Sequence, residues 1–287
     1  VNPARAERTE RRLRQVRRGA YLLPSLFTIG NILLGFYAVV LALRAYTVLV
    51  GLGPIRNDPR LDAVFADFQT AALLVFSAAI LDSLDGRIAR MTGTDSDFGK
   101  EYDSLADVFT FGAVPALLTY LWGLYEWGRI GWLIPFFYLV CTATRLARFN
   151  VQTKVVDSRF FVGLPCPAAA GAICSILFFA PNSEWREWMQ ALMLVALTLV
   201  GSLMVSTFRY NSFKKFDLRK RWSFRAMLPF AAILGVIVFQ WRATFLVIAI
   251  LFTLSGPLSW VTSRWRSHRG RPGDPPPARP EDVPGVP

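Results

Sequence analysis

Apolar side chains dominate eight stretches of the chain, at about 21–44, 68–90, 102–125, 130–149, 164–181, 187–207, 224–240 and 243–260. Polar residues inside these stretches mostly do not recur at the roughly 3.6-residue period of a helix half-buried on a water-soluble core. About 20 apolar residues carry a helix across the hydrocarbon of a bilayer. The pattern therefore predicts an all-α, polytopic integral membrane helical bundle of about eight transmembrane helices. The fifth and seventh stretches are the weakest. The first follows a basic arm of about twenty residues and lacks a small-residue cleavage site, so it is expected to be a retained span rather than a signal peptide.

Composition sharpens this picture. Hydrophobic residues make up 53% of the 287 and charged residues only 18%, gathered in short blocks between the apolar runs. With the N-terminus in the cytoplasm, 26 of the 32 Lys and Arg fall on the inner side and 6 on the outer. That asymmetry follows the positive-inside rule and places both ends inside. All nine Trp lie near predicted span ends, where interfacial aromatics belong. The net charge of +12 is thereby explained without nucleic acid, which is excluded as a partner; anionic membrane lipids suit it better.

Cys141, Cys166 and Cys174 all lie inside apolar runs without metal-ligand spacing, and are expected to be small core residues rather than a disulfide framework. His268 sits in the C-terminal region. From Gly270 onward, seven prolines in eighteen residues predict a disordered tail. The expected organisation is a basic cytoplasmic arm over 1–20, one membrane domain over 21–269 and the Pro-rich tail over 270–287.

Candidate chemistry concentrates in Leu81–Gly112, LDSLDGRIARMTGTDSDFGKEYDSLADVFTFG, with seven acidic residues. Asp82 and Asp85 are three apart and share a helix face, and Asp103 and Asp107, four apart, share another. Asp95 and Asp97 read as solvated loop or capping residues. The other four do not, because Asp82 follows directly on AALLVFSAAIL and Asp107 runs into VFTFGAVPALLTYLWG. A short connection between antiparallel helices brings the two pairs together, and four close carboxylates cannot all stay ionised uncompensated. Arg87 and Arg90 are too few to neutralise them. Protonation and bound cations remain, and oxygen-only ligands suit hard divalent ions such as Mg²⁺, Mn²⁺ or Ca²⁺. Two such ions balance four carboxylates and form the usual clamp for displacement at phosphorus. Gly86, Ala89 and Gly99 allow either a ligand or a neighbouring helix to approach closely.

Taken together, Asp82, Asp85-Gly86, Ala89-Arg90, Gly99, Asp103 and Asp107 resemble, at every position and spacing, the complete signature of the CDP-alcohol phosphatidyltransferases. The segments LPSLFTIGNILLGFYAVVLA (23–42), TRLARFNV (144–151) and FVGLPCPAAAG (161–171) are similar to the phosphatidylserine synthase branch. The resemblance implies a six-helix core plus two further spans, a two-metal site open to the cytoplasm and a homodimer in the inner (plasma) membrane. It implies that Asp82, Asp85, Asp103 and Asp107 hold two divalent cations, and that Asp107 is also the general base. It places Gly86, Ala89, Arg90 and Gly99 around the nucleotide, with Thr28 and Asn31 of the first span beside it. The implied substrates are CDP-diacylglycerol and L-serine. A sister enzyme using glycerol-3-phosphate, inositol phosphate or choline is the alternative acceptor reading; a divalent-cation transporter is the alternative of another class.

The acceptor's carboxylate needs a cationic partner. Arg145 and Arg148 are three apart at the inner end of the fourth span, with Asn150 following, and are expected to face serine or a phosphate. Thr28 and Asn31 can also be read as local capping of a helix interrupted near Pro24. Backbone N–H groups near Gly163–Pro167 are expected to assist the acceptor site.

Overall fold

A computed structural model describes residues 3–52, 58–92, 97–152, 160–179, 186–211 and 240–268. Helices dominate: α1 (Pro3–Leu52), α2 (Arg60–Thr92), α3 (Asp97–Asp107), α4 (Val114–Trp122), α5 (Gly128–Gln152), α6 (Cys166–Phe179), α7 (Arg186–Val205) and α8 (Trp241–His268). A π-helical segment, Val108–Ala113, joins α3 to α4, and a 3₁₀ turn, Leu124–Trp127, joins α4 to α5. Two three-residue strands, Phe160–Val162 (β1) and Arg209–Asn211 (β2), pair antiparallel outside the bundle.

Five segments among the described residues are long and apolar enough to cross a membrane: 26–52, 60–88, 98–122, 124–151 and 187–205. Two shorter apolar helices, 166–179 and 243–258, correspond to the fifth and eighth expected spans. The seventh, 224–240, lies outside the described residues. The protein is thus an all-α, multi-pass membrane protein. Leu33, Phe36, Val40 and Leu43 of α1, and Leu192, Val195 and Leu199 of α7, form exposed apolar stripes that water would not tolerate and lipid does.

Two boundaries depart from expectation. The first apolar segment runs on to Leu52 rather than ending at 44, and α1 is unbroken from the basic arm through Pro24, so capping at an interrupted helix does not describe this region. The second segment starts at Arg60 rather than 68, which brings Asp62 and Asp67 into it. The far end of the hairpin absorbs Asp67 as an ion pair with Arg44 of α1, whose Nε donates at 2.8 Å. Outside the helix, Asp58 accepts the backbone N–H of Arg60, capping α2. Hydrogen bonds from Arg60 hold its carboxyl down to about 2.

The α1–α2 hairpin closes on small residues. Ala38, Ala42 and Ala45 line one face of α1, while Phe68, Ala71, Ala72, Val75 and Ala78 line the facing stripe of α2. Alanines at helical spacing let two backbones approach in lipid, where packing rather than the hydrophobic effect drives association. Helix α6 is buried on nearly every side, as its uninterrupted apolar composition requires. The three cysteines are free and buried, as small core residues should be.

Gly163 sets the entry to α6. Its φ of +80° lies in the left-handed region, and an added Cβ would stand 2.3 Å from the Met204 carbonyl oxygen. Its N–H donates to Phe208 O at 2.9 Å, and Leu164 N–H to Leu203 O at 3.2 Å. These two donors tie the loop to the end of α7, so they do not face an acceptor pocket as expected. Gly163→Ala is expected to destabilise the protein by about 2–3 kcal/mol. Thermal denaturation in detergent checks this; an unchanged melting temperature would show that the loop relaxes freely.

Candidate active site

The acidic groups converge because two helices that are neighbours in sequence turn their polar faces toward each other. One carboxylate oxygen from each of Asp82, Asp103 and Asp107 lies within 4.8 Å of the other two. Asp85 stands outside this triangle, one turn further along α2. Its Oδ2 accepts the Thr28 hydroxyl at 2.9 Å. The Oδ1 atoms of Asp85, Asp103 and Asp107 are buried with no hydrogen-bond partner.

Magnitude decides what this arrangement can be. Two like charges at such a separation repel by roughly 3 kcal/mol at an effective dielectric of about 20. Three such pairs, all ionised, would cost about as much as a typical domain's whole stability, so the cluster must share protons or bind cations. Among the described residues, the cation whose field reaches Asp107 is Arg145, a single charge against several. Orphaned, buried carboxylate oxygens converging from two helices fit a hard divalent cation, which takes oxygen ligands and cancels two charges at once. The residues present therefore suit the divalent-cation dependence common to this kind of centre.

Directly after Asp107 the backbone widens into the π segment. The Val114 N–H donates to Phe109 O, five residues back, and the buried Tyr138 hydroxyl donates to Phe111 O at 3.0 Å. A π turn frees a carbonyl that an α-helix would use, and Tyr138 satisfies one here. Thr110 donates to the Asn31 carbonyl at 3.4 Å, fastening the segment to α1. No spacing or composition signal in VFTFG announces this insertion.

The other expected site residues divide. Thr28 and Asn31 are buried, at 4% and 1% exposure, on the α1 face toward this centre. Both polar atoms of the Asn31 side chain lack a partner. Among the described residues, nothing lies within 4 Å of a Cβ added at Gly86. Gly99 sits on the first turns of α3. Ala89 and Arg90 belong to the last turns of α2, and their side chains lie outside the described residues.

Arg145 and Arg148 do not act as a matched pair. Arg145 Nη1 donates to Cys166 Sγ at 3.4 Å, and its guanidinium lies 5.6 Å from the Phe149 ring centroid. Arg148 Nη1 donates instead to Val205 O at 3.3 Å, the last residue of α7, a cation placed where a helix C-terminus favours one. Asn150 Nδ2 donates to Ser104 Oγ at 2.9 Å, linking α5 to the turn that carries Asp103. Cys166, expected only as a core filler, stands beside Arg145; its place between Pro165 and Pro167 at a helix start was the available signal.

A groove of about 530 Å³ runs between α2, α6 and α8. Phe76, Ile80, Leu84, Ala168 and Phe245 make it apolar, and Arg87 lies at its polar end. Arg87 is two residues from Asp85, so the groove lies on the other face of α2 from the carboxylates.

A bundle of membrane-crossing helices with carboxylates converging between α2 and α3 defines a multi-pass membrane protein with a polar centre. The profile of the CDP-alcohol phosphatidyltransferases matches residues 21–201, and the chain belongs to that family. It is 35% identical over 242 residues to a CDP-diacylglycerol–serine O-phosphatidyltransferase of Helicobacter pylori strain J99, covering 84% of this chain and 92% of that one. A Bacillus subtilis protein of the same name is 31% identical over 193 residues, covering 67% and 92%. One from Mycobacterium tuberculosis strain CDC 1551 is 35% identical over 200 residues, covering 66% and 62%.

Proposed function

We propose that this protein is a phosphatidylserine synthase, transferring the phosphatidyl group of CDP-diacylglycerol to the hydroxyl of L-serine with release of CMP. The convergence of half-buried carboxylates from α2 and α3, with unpartnered oxygens on Asp103 and Asp107, carries the reaction class. The relatives named above support serine as the acceptor, and in a multi-pass protein a lipid substrate is natural.

Asp82, Asp85, Asp103 and Asp107 would hold two divalent cations, Mg²⁺ or Mn²⁺, with Ca²⁺ as a further occupant. When bound, they supply positive charge against the diphosphate and the departing CMP. Asp107 takes the proton from the serine hydroxyl at its free carboxylate oxygen. The serine oxygen then bonds to the phosphorus bearing diacylglycerol, and the bond from that phosphorus to the CMP oxygen breaks. Gly86 and Gly99, with Ala89, Arg90 and Asn31, form the nucleotide wall, and Thr28 stands behind it on Asp85.

Arg145 is the better candidate for the serine carboxylate, because Arg148 already serves the end of α7. Arg145→Lys, losing planar two-point recognition, is expected to raise the KM for serine about tenfold and leave that for CDP-diacylglycerol near normal. A tenfold change corresponds to about 1.4 kcal/mol. Arg148→Lys keeps a cation at the helix terminus and is expected to leave both constants near normal. Steady-state kinetics with each substrate varied separately decides; unchanged serine dependence in Arg145→Lys would place the serine site elsewhere.

The membrane is the inner (plasma) membrane, with both termini and the site on the cytoplasmic side, as the Lys and Arg asymmetry favours. The working unit is a homodimer whose membrane domain spans 21–269, between the basic arm over 1–20 and the tail over 270–287. The test of the whole reading is an acceptor panel. Purified protein, CDP-diacylglycerol and Mg²⁺ or Mn²⁺ should release CMP with L-serine and not with glycerol-3-phosphate, inositol phosphate or choline. CMP release with one of the others instead would move the protein to a sister activity.

A further inference from the structure

Thr28 makes a contact that a residue lining a pocket wall does not need. Its hydroxyl crosses from α1 to α2 and donates to Asp85 Oδ2 at 2.9 Å. Thr28 reaches a carboxylate 57 residues away in sequence. Both partners are buried, at 4% and 5% exposure, so water does not compete for the bond.

The bond divides the two oxygens of Asp85. Oδ2 is held by the hydroxyl, while Oδ1 is buried and has no partner. A hydroxyl has one proton to donate, and here it is aimed at a charged acceptor. Threonine is branched at Cβ, which restricts its χ1 and so the direction in which the hydroxyl points. A carboxylate pinned through one oxygen cannot rotate freely, and its other oxygen is left open to a ligand.

We infer that Thr28 is a positioning residue for the cation site: its hydroxyl orients Asp85 so that Oδ1 is presented as a single-oxygen ligand, and it makes α1 part of that site. This rests on the reading of the four aspartates as cation ligands. Groups that orient metal ligands from behind typically contribute about 10–100-fold to metal affinity when lost. Through this bond, the helix that carries the basic arm becomes coupled to cation occupancy on α2 and α3.

The experiment uses the purified full chain in detergent with Mn²⁺ as the probe and no lipid substrate. Free Mn²⁺ is counted by electron paramagnetic resonance against wild type, Thr28→Val and Thr28→Ser. Valine keeps the shape and removes the hydroxyl; serine keeps the hydroxyl and removes the methyl. The expected result is a Mn²⁺ Kd about 10–100-fold higher in Thr28→Val and within a few-fold of wild type in Thr28→Ser. At saturating Mn²⁺, the KM for CDP-diacylglycerol in Thr28→Val should return to near the wild-type value. Size-exclusion profiles identify any variant that fails to fold, and Thr28→Ser then carries the comparison with Thr28→Ala.

Wild-type Mn²⁺ affinity in a folded Thr28→Val, with a KM for CDP-diacylglycerol that stays high at saturating metal, would overturn the inference and make Thr28 a nucleotide contact. Equal loss in Thr28→Val and Thr28→Ser would overturn it too, since the methyl and not the hydroxyl would then matter. Absence of Mn²⁺ binding in the wild type would overturn the cation reading of the aspartates itself, and this inference with it.

Discussion

Asp107→Asn is expected to lower the rate of CMP release by about 10²–10⁴-fold, the usual contribution of a positioned base. Asp107 ends α3, directly before the π segment, and its Oδ1 is buried without a partner. Asparagine keeps the volume and one oxygen but cannot take a proton there. Binding of CDP-diacylglycerol should stay measurable in this variant. Asp82→Asn and Asp103→Asn, which remove charge from the same triangle, should weaken cation and nucleotide binding as well as turnover. The measurement is turnover alongside equilibrium binding of the lipid nucleotide for all three variants. Near-normal turnover in Asp107→Asn would remove it from the mechanism.

Removing divalent cations is expected to abolish activity and to destabilise the protein. EDTA should reduce CMP release to background, and Mg²⁺ or Mn²⁺ should restore it. The second effect follows from the repulsion among Asp82, Asp103 and Asp107, which lie within 4.8 Å of one another. A cation that binds only the folded chain stabilises it by about 2.7 kcal/mol at a hundred times its Kd. A rise in melting temperature with added Mn²⁺, absent in Asp82→Asn, would tie the stabilisation to the cluster. Full turnover in metal-free buffer would refute the cation site.

Much of this protein is legible along the chain because lipid imposes simple rules. A helix must be long and apolar to cross a bilayer, and a carboxylate at its end demands an explanation. Asp82 after AALLVFSAAIL and Asp107 before VFTFGAVPALL stand out for that reason alone. Their spacing of three and four puts each pair on a helix face, and the complete signature points to the family whose profile matches 21–201. Span ends are less legible. Arg44 and Asp67 read as limits of the hydrophobic segments, yet they pair across the hairpin and let both helices run further.

Local pattern therefore determined the membrane class and singled out the four aspartates. Tertiary structure decided how those aspartates divide, three in a triangle and Asp85 apart on Thr28, because that depends on the relative rotation of α1, α2 and α3. It also separated Arg145 from Arg148, which helical spacing makes equivalent and which α6 and α7 do not. The end of α7 supplies a carbonyl to Arg148, and the start of α6 supplies a thiol to Arg145. The π segment after Asp107 belongs to the same category. Its widened turn is stable because Tyr138 reaches its carbonyl from α5, a contact 27 residues away that no local spacing encodes.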